Sequence, residues 1–188
     1  SATGLFGQFN QQLTDSVATA ARFGRDQGAV QKTIGSLANN MMNFTQMSKD
    51  NQKTLIDSSM ALGQFGVDAE TAAKNNDFLM NSLGRSAEEA VGFQKDLIEL
   101  GAEIGMNGKA LVEGFGKNAE TLAKFGDQAE KVFMDLAKTA KETGVEMDEL
   151  FKVTEKFNTF DGAASAVGKM NAQLGTNLDA MALLQAET

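Results

Sequence analysis

The chain is expected to be all-α, and three observations carry that expectation. Apolar residues recur at spacings of three and four rather than two, the period of a helix face and not of a strand. Proline is absent from all 188 residues, so no ring removes a backbone N–H from a helical run. Glycine supplies the punctuation instead, at 19 of 188. Each glycine inside a helix costs roughly 1 kcal/mol relative to alanine. Many of them are therefore expected at helix ends, where a left-handed residue favours glycine.

Residues 1–65 read as a long heptad-like helical segment of one or two polar-rich helices. Val30, Ile34, Leu37, Met41 and Phe44 follow a 4-3-4-3 spacing. The register continues through Ser48, Asn51, Leu55, Ser58, Leu62 and Phe65, with three polar interruptions. Such a seam favours left-handed packing of helix on helix, as in a coiled coil. An amphipathic helix lying on its own domain gives the same spacing, and charges at the flanking positions are sparse.

Residues 66–188 read as a helical bundle of short antiparallel hairpins. Segments open at Gly66, Gly84, Gly105, Gly126, Gly144 and Gly175, at intervals of 18, 21, 21, 18 and 31 residues. Asp68, Ser86 and Asn107 suit N-caps, because their side-chain oxygens accept from the first free backbone N–H groups. Ser86 and Glu89 have the spacing of a capping box. Apolar stripes follow each corner: Phe93, Leu97, Leu100 and Ile104; then Val132, Phe133, Leu136 and Ala140; then Met147, Leu150, Phe151 and Phe157; then Val167, Met170, Leu174, Leu178 and Met181. Segments of roughly 15–20 residues are marginal as isolated helices, so they are expected to fold back and bury their stripes together. The spacing is too irregular for a strict repeat array.

Composition narrows the chemistry. There is no Cys and no His, which removes thiolate sites, the usual zinc sites and the commonest general base. Lys plus Arg is 17 and Asp plus Glu is 25, a net charge of −8. Phosphate backbones need clustered cations, so no specific nucleic-acid binding is expected. No run approaches the 18–20 apolar residues of a membrane span. Ser1-Ala2-Thr3-Gly4 lacks the features of a signal peptide, and the chain is expected to be a piece of a longer one.

The remaining motifs favour structure over catalysis. Glu88-Glu89, Asp68/Glu70 and Asp148/Glu149 are explained by helix N-termini, which favour negative charge. A glycosidase cleft wants aromatic walls, and Trp and Tyr are both absent. Gly114-Phe115-Gly116-Lys117-Asn118-Ala119 imitates a dinucleotide-binding loop, but it follows a helical stripe instead of a strand. A kink or turn between helices explains it. Gly24/Gly28 and Gly101/Gly105 have the spacing of a membrane helix-pairing motif, which carries little weight outside an apolar stretch; close crossing or helix termination explains them. Cofactors are expected to be none, metals none, and the chain not an enzyme.

Partner contact is then the expected role. The candidates are Val30, Ile34, Leu37, Met41, Met42 and Phe44 on the seam, with Phe160, Leu178 and Met181 towards the C-terminus. Methionine adapts to varied partners, although all of these side chains can equally lie in the chain's own core. Met41 and Met42 are adjacent, so one of them should face away from the seam.

The runs Leu136-Ala137-Lys138-Thr139-Ala140-Lys141-Glu142-Thr143-Gly144-Val145-Glu146-Met147-Asp148-Glu149-Leu150, Phe157-Asn158-Thr159-Phe160-Asp161-Gly162-Ala163-Ala164 and Met170-Asn171-Ala172-Gln173-Leu174-Gly175-Thr176-Asn177-Leu178-Asp179-Ala180-Met181 resemble the tail tape measure proteins of contractile-tailed bacteriophages, especially marine and cyanobacterial ones. The resemblance covers about residues 62–188 and is closest over 126–184. It implies a structural virion protein, mainly helical, held in the tail lumen or at the baseplate after assembly in the host cytoplasm. Copies of itself, as a trimer or hexamer, and the tail tube and baseplate hub proteins would be its partners. The length of such a chain sets the length of the tube, and the chain leaves the tube at genome ejection. A continuous helix of 188 residues would span about 280 Å. Residues 1–65 could belong to such a rod, and residues 66–188 are expected to form a folded knot docking at the hub or tube end. A helical adaptor or chaperone-like binding module is the second reading, and a membrane-active helical bundle the third.

Overall fold

Helix ends are set by short polar side chains and by glycine. A computed structural model of the chain describes residues 9–22 and 24–154. Among them are nine α-helices and no strand, so the fold is all-α. They are α1 (Asn10–Arg22), α2 (Gln27–Asn40), α3 (Lys49–Leu62), α4 (Ala69–Asp77), α5 (Ala87–Ile104), α6 (Gly108–Lys117), α7 (Ala119–Ala123), α8 (Ala129–Thr143) and α9 (Met147–Thr154).

The expected caps are in place. Asp68 Oδ1 accepts from the Thr71 amide at 2.8 Å. Ser86 Oγ accepts from the Glu89 amide at 3.2 Å, and Glu89 Oε2 accepts from the Ser86 amide at 2.8 Å. Asn107 Oδ1 accepts from the Ala110 amide at 3.3 Å. Asp26 and Ser48 open α2 and α3 in the same way. Each cap satisfies a backbone donor that the first helical turn leaves without a partner. Gly66, Gly84, Gly105, Gly126 and Gly144 all have positive φ, as does Gly24. Gly175, the last of the expected corners, lies outside the described residues.

Packing divides the chain between Lys117 and Asn118, not near residue 65 as the change in sequence texture suggested. In the first unit α2 packs on α4, α1 on α3, α3 on α5 and α5 on α6. The expected long N-terminal segment is instead three helices folded onto one another. The heptad register runs on past Phe44, but the helix does not. Met41 takes extended backbone, a short 3-10 turn follows at Phe44–Gln46, and Ser48 caps a new helix. Asn40 Nδ2 donates to the Ser36 carbonyl at 2.9 Å, the kind of local side-chain bond that competes with helix continuation. Folding back lets the two halves of the stripe cover each other. Val30, Ile34, Leu37 and Phe44 meet Leu55, Ile56 and Met60 in one core. Burying each such side chain contributes roughly 1.5–3 kcal/mol before the entropy cost of ordering it.

Aromatic rings anchor this unit. Phe9 and Phe44 lie 5.4 Å apart between ring centroids. Phe115 sits 4.8 Å from Phe93, edge-on, and 5.6 Å from Phe78. Between α4 and α5 the chain takes one wide turn of π-helix, Phe78–Ser82, closed by the Leu83 amide on the Phe78 carbonyl. The corner between α5 and α6 is tight. A Cβ on Gly101 would lie 2.6 Å from Gly108 Cα and 3.0 Å from the Met106 carbonyl oxygen. Glycine at both 101 and 108 is what lets these backbones approach.

In the second unit, α8 buries Val132, Phe133, Leu136 and Ala140. Helix α9 packs on α8 and brings Leu150 and Phe151 into burial. Phe133 and Phe151 are 5.9 Å apart between centroids. The stripe from Val167 to Met181 lies outside the described residues.

Candidate functional site

The carboxylates singled out in the sequence serve helix ends. Asp68 is held below the ordinary carboxylate range, first by the Thr71 backbone N–H, and burial only partly opposes this. Glu89 is likewise lowered, first by the Ser86 backbone N–H. Glu70 pairs with Lys74 at 2.6 Å along α4. Among the described residues no group of three or more Asp and Glu gathers as a metal site. No described helix is long and apolar enough to cross a membrane. Gly114 and Gly116 lie in the last turns of α6, with no strand before them among the described residues. Gly116 makes room for Asn75: a Cβ there would collide with the Asn75 Oδ1 atom.

The partner-contact candidates divide sharply. Val30, Ile34, Leu37 and Phe44 are fully buried and Met41 is 3% exposed, all in the core of their own unit. That corrects their assignment to partner contact: folding back gives the seam a partner within the chain. Met42 is the exception, 78% exposed. Its amide donates to Asp77 Oδ1 at 2.7 Å, which pins the backbone while the side chain stands in water. Phe160, Leu178 and Met181 lie outside the described residues.

A second apolar side chain, Phe65, is 58% exposed. A cleft of about 270 Å³ opens where the α1–α2 corner, the end of α3 and the start of α4 meet. Arg25 and Lys32 line it, with Ser59, Gly63, Gly66 and Asp68. Arg25 Nη2 donates to the Gly63 carbonyl at 2.8 Å. The absent side chain at Gly63 leaves the guanidinium its place, since a Cβ would lie 2.6 Å from Nη2. Ser59 Oγ and Thr33 Oγ1 are turned to carbonyls of their own helices. Asp68 is engaged with Thr71 through both carboxylate oxygens. Among the described residues neither Arg25 nor Lys32 is in an ion pair. The wall therefore carries two cations against one carboxylate that is already occupied.

The core also holds amides that the apolar stripes do not reveal. Gln12 Nε2 donates to Gln52 Oε1 at 2.6 Å, and Gln52 Nε2 to the Phe44 carbonyl at 2.8 Å. Gln94 Nε2 donates to Asn76 Oδ1 at 2.7 Å, and Asn75 Nδ2 to the Val112 carbonyl at 2.8 Å. All five side chains are buried. They fix which helices meet and offer no group suited to acid, base or nucleophile.

Comparison with protein-family models, curated proteins and solved structures finds no match for the chain.

Proposed function

We propose that the chain is a folded helical part of a phage tail tape measure protein, acting through contacts and not catalysis. The observation that carries this reading is the text of residues 136–150, 157–164 and 170–181, which resembles that family. The architecture supports a docking role over a ruling one. The described helices have 5 to 18 residues and turn back at glycine corners and at the break after Asn40. A ruler needs length, about 1.5 Å per residue of continuous helix; this stretch uses its residues to make a surface instead. The partners are copies of itself in a trimer or hexamer and the proteins of the tail tube and baseplate hub, in the tail lumen or at the baseplate. The charge of −8 suits a chain that lines the path of DNA without retaining it, because like charges repel.

An in-frame deletion in the phage tests this, with tail lengths measured by electron microscopy. Removing a continuous ruler of 188 residues would shorten tails by about 280 Å. Removing a docking part blocks tail initiation and leaves no uniformly shortened class. Infectious particles with tails of unchanged length would overturn the proposal. The exposed Phe65 and Met42 also suit a helical adaptor; a parent reading frame of only one or two domains would favour that reading.

A further inference from the structure

We propose that Asn107-Gly108, at the corner between α5 and α6, is where the chain undergoes spontaneous deamidation, and that the closed corner holds the reaction back until the start of α6 opens. It is the one Asn-Gly pair in the sequence. The reaction is intramolecular. The Gly108 backbone nitrogen attacks Asn107 Cγ, the bond from Cγ to the side-chain nitrogen breaks, and ammonia leaves with the proton given up by the attacking nitrogen. Water then opens the resulting succinimide at either carbonyl. Cleavage at Cγ leaves aspartate. Cleavage at the main-chain carbonyl leaves isoaspartate, whose backbone runs through the side chain and is one carbon longer. Glycine has no Cβ to hinder the attack, and Asn107 is exposed to water.

The corner withholds the geometry that attack needs. The nitrogen must swing over Cγ by rotation of the whole Asn107-Gly108 peptide plane. The Leu111 amide donates to the Asn107 carbonyl at 3.1 Å, which ties that plane into the first turn of α6. The Ala110 amide donates to Asn107 Oδ1 at 3.3 Å, which fixes the side-chain amide. Behind the plane, Gly108 N lies 2.7 Å from where a Cβ on Gly101 would be. Attack therefore breaks two hydrogen bonds and lifts Gly108 off α5, a local opening of the kind folded proteins make reversibly. Isoaspartate makes the opening permanent. The longer backbone has no room, since even a Cβ on Gly108 would lie 2.9 Å from Ile98 Cα. Aspartate keeps the capping oxygen and adds a negative charge that a helix N-terminus favours, so that product closes again.

The test incubates the full 188-residue chain in neutral buffer and, unfolded, in concentrated urea. A synthetic peptide of residues 96–109 in both solvents corrects for the urea itself. Tryptic mass spectrometry follows amide loss in residues 96–109, where Asn107 is the only Asn, and chromatography separates the two products. In urea this peptide should lose its amide before any other. The folded chain should lose it about tenfold more slowly or slower still. Gly101→Ala wedges the corner from α5 and leaves the Asn-Gly pair intact, so it should speed the reaction in buffer about tenfold and leave the rate in urea unchanged. Should Gly101→Ala fail to fold, the ratio of folded to unfolded rates in the parent decides. In the isoaspartate form the Ala110 and Leu111 amides should exchange with deuterium about tenfold faster than in the aspartate form. Equal corrected rates in buffer and urea, earlier amide loss elsewhere in urea, an unchanged rate in buffer for folded Gly101→Ala, or equal exchange in the two products would each overturn the proposal.

Discussion

The α5–α6 corner makes a prediction whose sign depends on a few tenths of an ångström. Gly92 and Gly101 lie in the same helix, α5. A Cβ on Gly92 meets nothing within 4 Å, whereas a Cβ on Gly101 falls 2.6 Å from Gly108 Cα, 2.7 Å from Gly108 N and 3.0 Å from the Met106 carbonyl oxygen. Alanine gains about 1 kcal/mol over glycine in a helix interior. Gly92→Ala should therefore stabilise the first unit by about that much. Gly101→Ala has the same gain and a clash with three backbone atoms, none of which can rotate aside. Overpacking of this kind costs about 1–3 kcal/mol, and fixed backbone on both sides places it in the upper part of that range. The net expectation is a loss of about 1–2 kcal/mol. Urea unfolding of both variants, followed by circular dichroism, should separate them by about 2–3 kcal/mol in opposite directions from the parent. If Gly101→Ala stabilises as much as Gly92→Ala, the two helices do not cross closely at Gly101 and Gly108, and the account of the corner fails.

Three further outcomes are expected. Ser86→Ala removes the Oγ half of the capping box at α5 and keeps the backbone N–H that donates to Glu89; it should cost about 1 kcal/mol in the same unfolding measurement, and an unchanged midpoint would count against the cap. Gly144→Ala meets no steric obstacle but must hold φ near +71°, so it should cost about 1–2 kcal/mol from backbone strain alone, visible as faster amide exchange in α8 and α9. Asp68 and Glu89 are both lowered by backbone N–H donors. Their stabilisation is complete above the ordinary carboxylate range and is lost as pH falls through their lowered folded values. Urea midpoints should therefore drop on acidification below about pH 4, and less so in an Asp68→Asn/Glu89→Gln variant; equal slopes would refute the assignment.

Corners and caps were legible because they are local. Left-handed backbone after a helix selects glycine, and a free N–H selects Asp, Ser or Asn, so Gly66-Val67-Asp68 and Gly84-Arg85-Ser86 announce themselves within three residues. What the stripes would meet was not legible. A 4-3-4-3 seam looks the same whether its partner is another chain or the next helix of its own. The deciding event is the break at Met41, which interrupts no periodicity. The boundary at Lys117/Asn118 was hidden for a similar reason, since α6 and α7 are separated by one residue and composition does not change there. The cleft was least visible. Arg25 and Gly63 are 38 residues apart, and Phe65 falls on the seam's own register, where it reads as core.

The buried amides explain how such plain helices reach one arrangement. Stripes of Ala, Leu, Val and Phe at similar spacing are nearly interchangeable, and hydrophobic burial does not distinguish one pairing from another of equal area. An amide bond between helices does distinguish them, because another pairing loses it at about 1–3 kcal/mol, although Gln12 Oε1, Asn75 Oδ1, Asn76 Nδ2 and Gln94 Oε1 are buried without a partner in this arrangement too. Gln94 reaches Asn76 from α5 to α4, Asn75 reaches Val112 from α4 to α6, and Gln12 reaches Gln52 from α1 to α3. Each bond links helices that the apolar stripes leave free to pair otherwise. Glycine corners set several of the turns, the break at Met41 sets another, and these bonds favour one pairing of the helices. The same packing leaves Met42 and Phe65 in water and sets Arg25 on the Gly63 carbonyl.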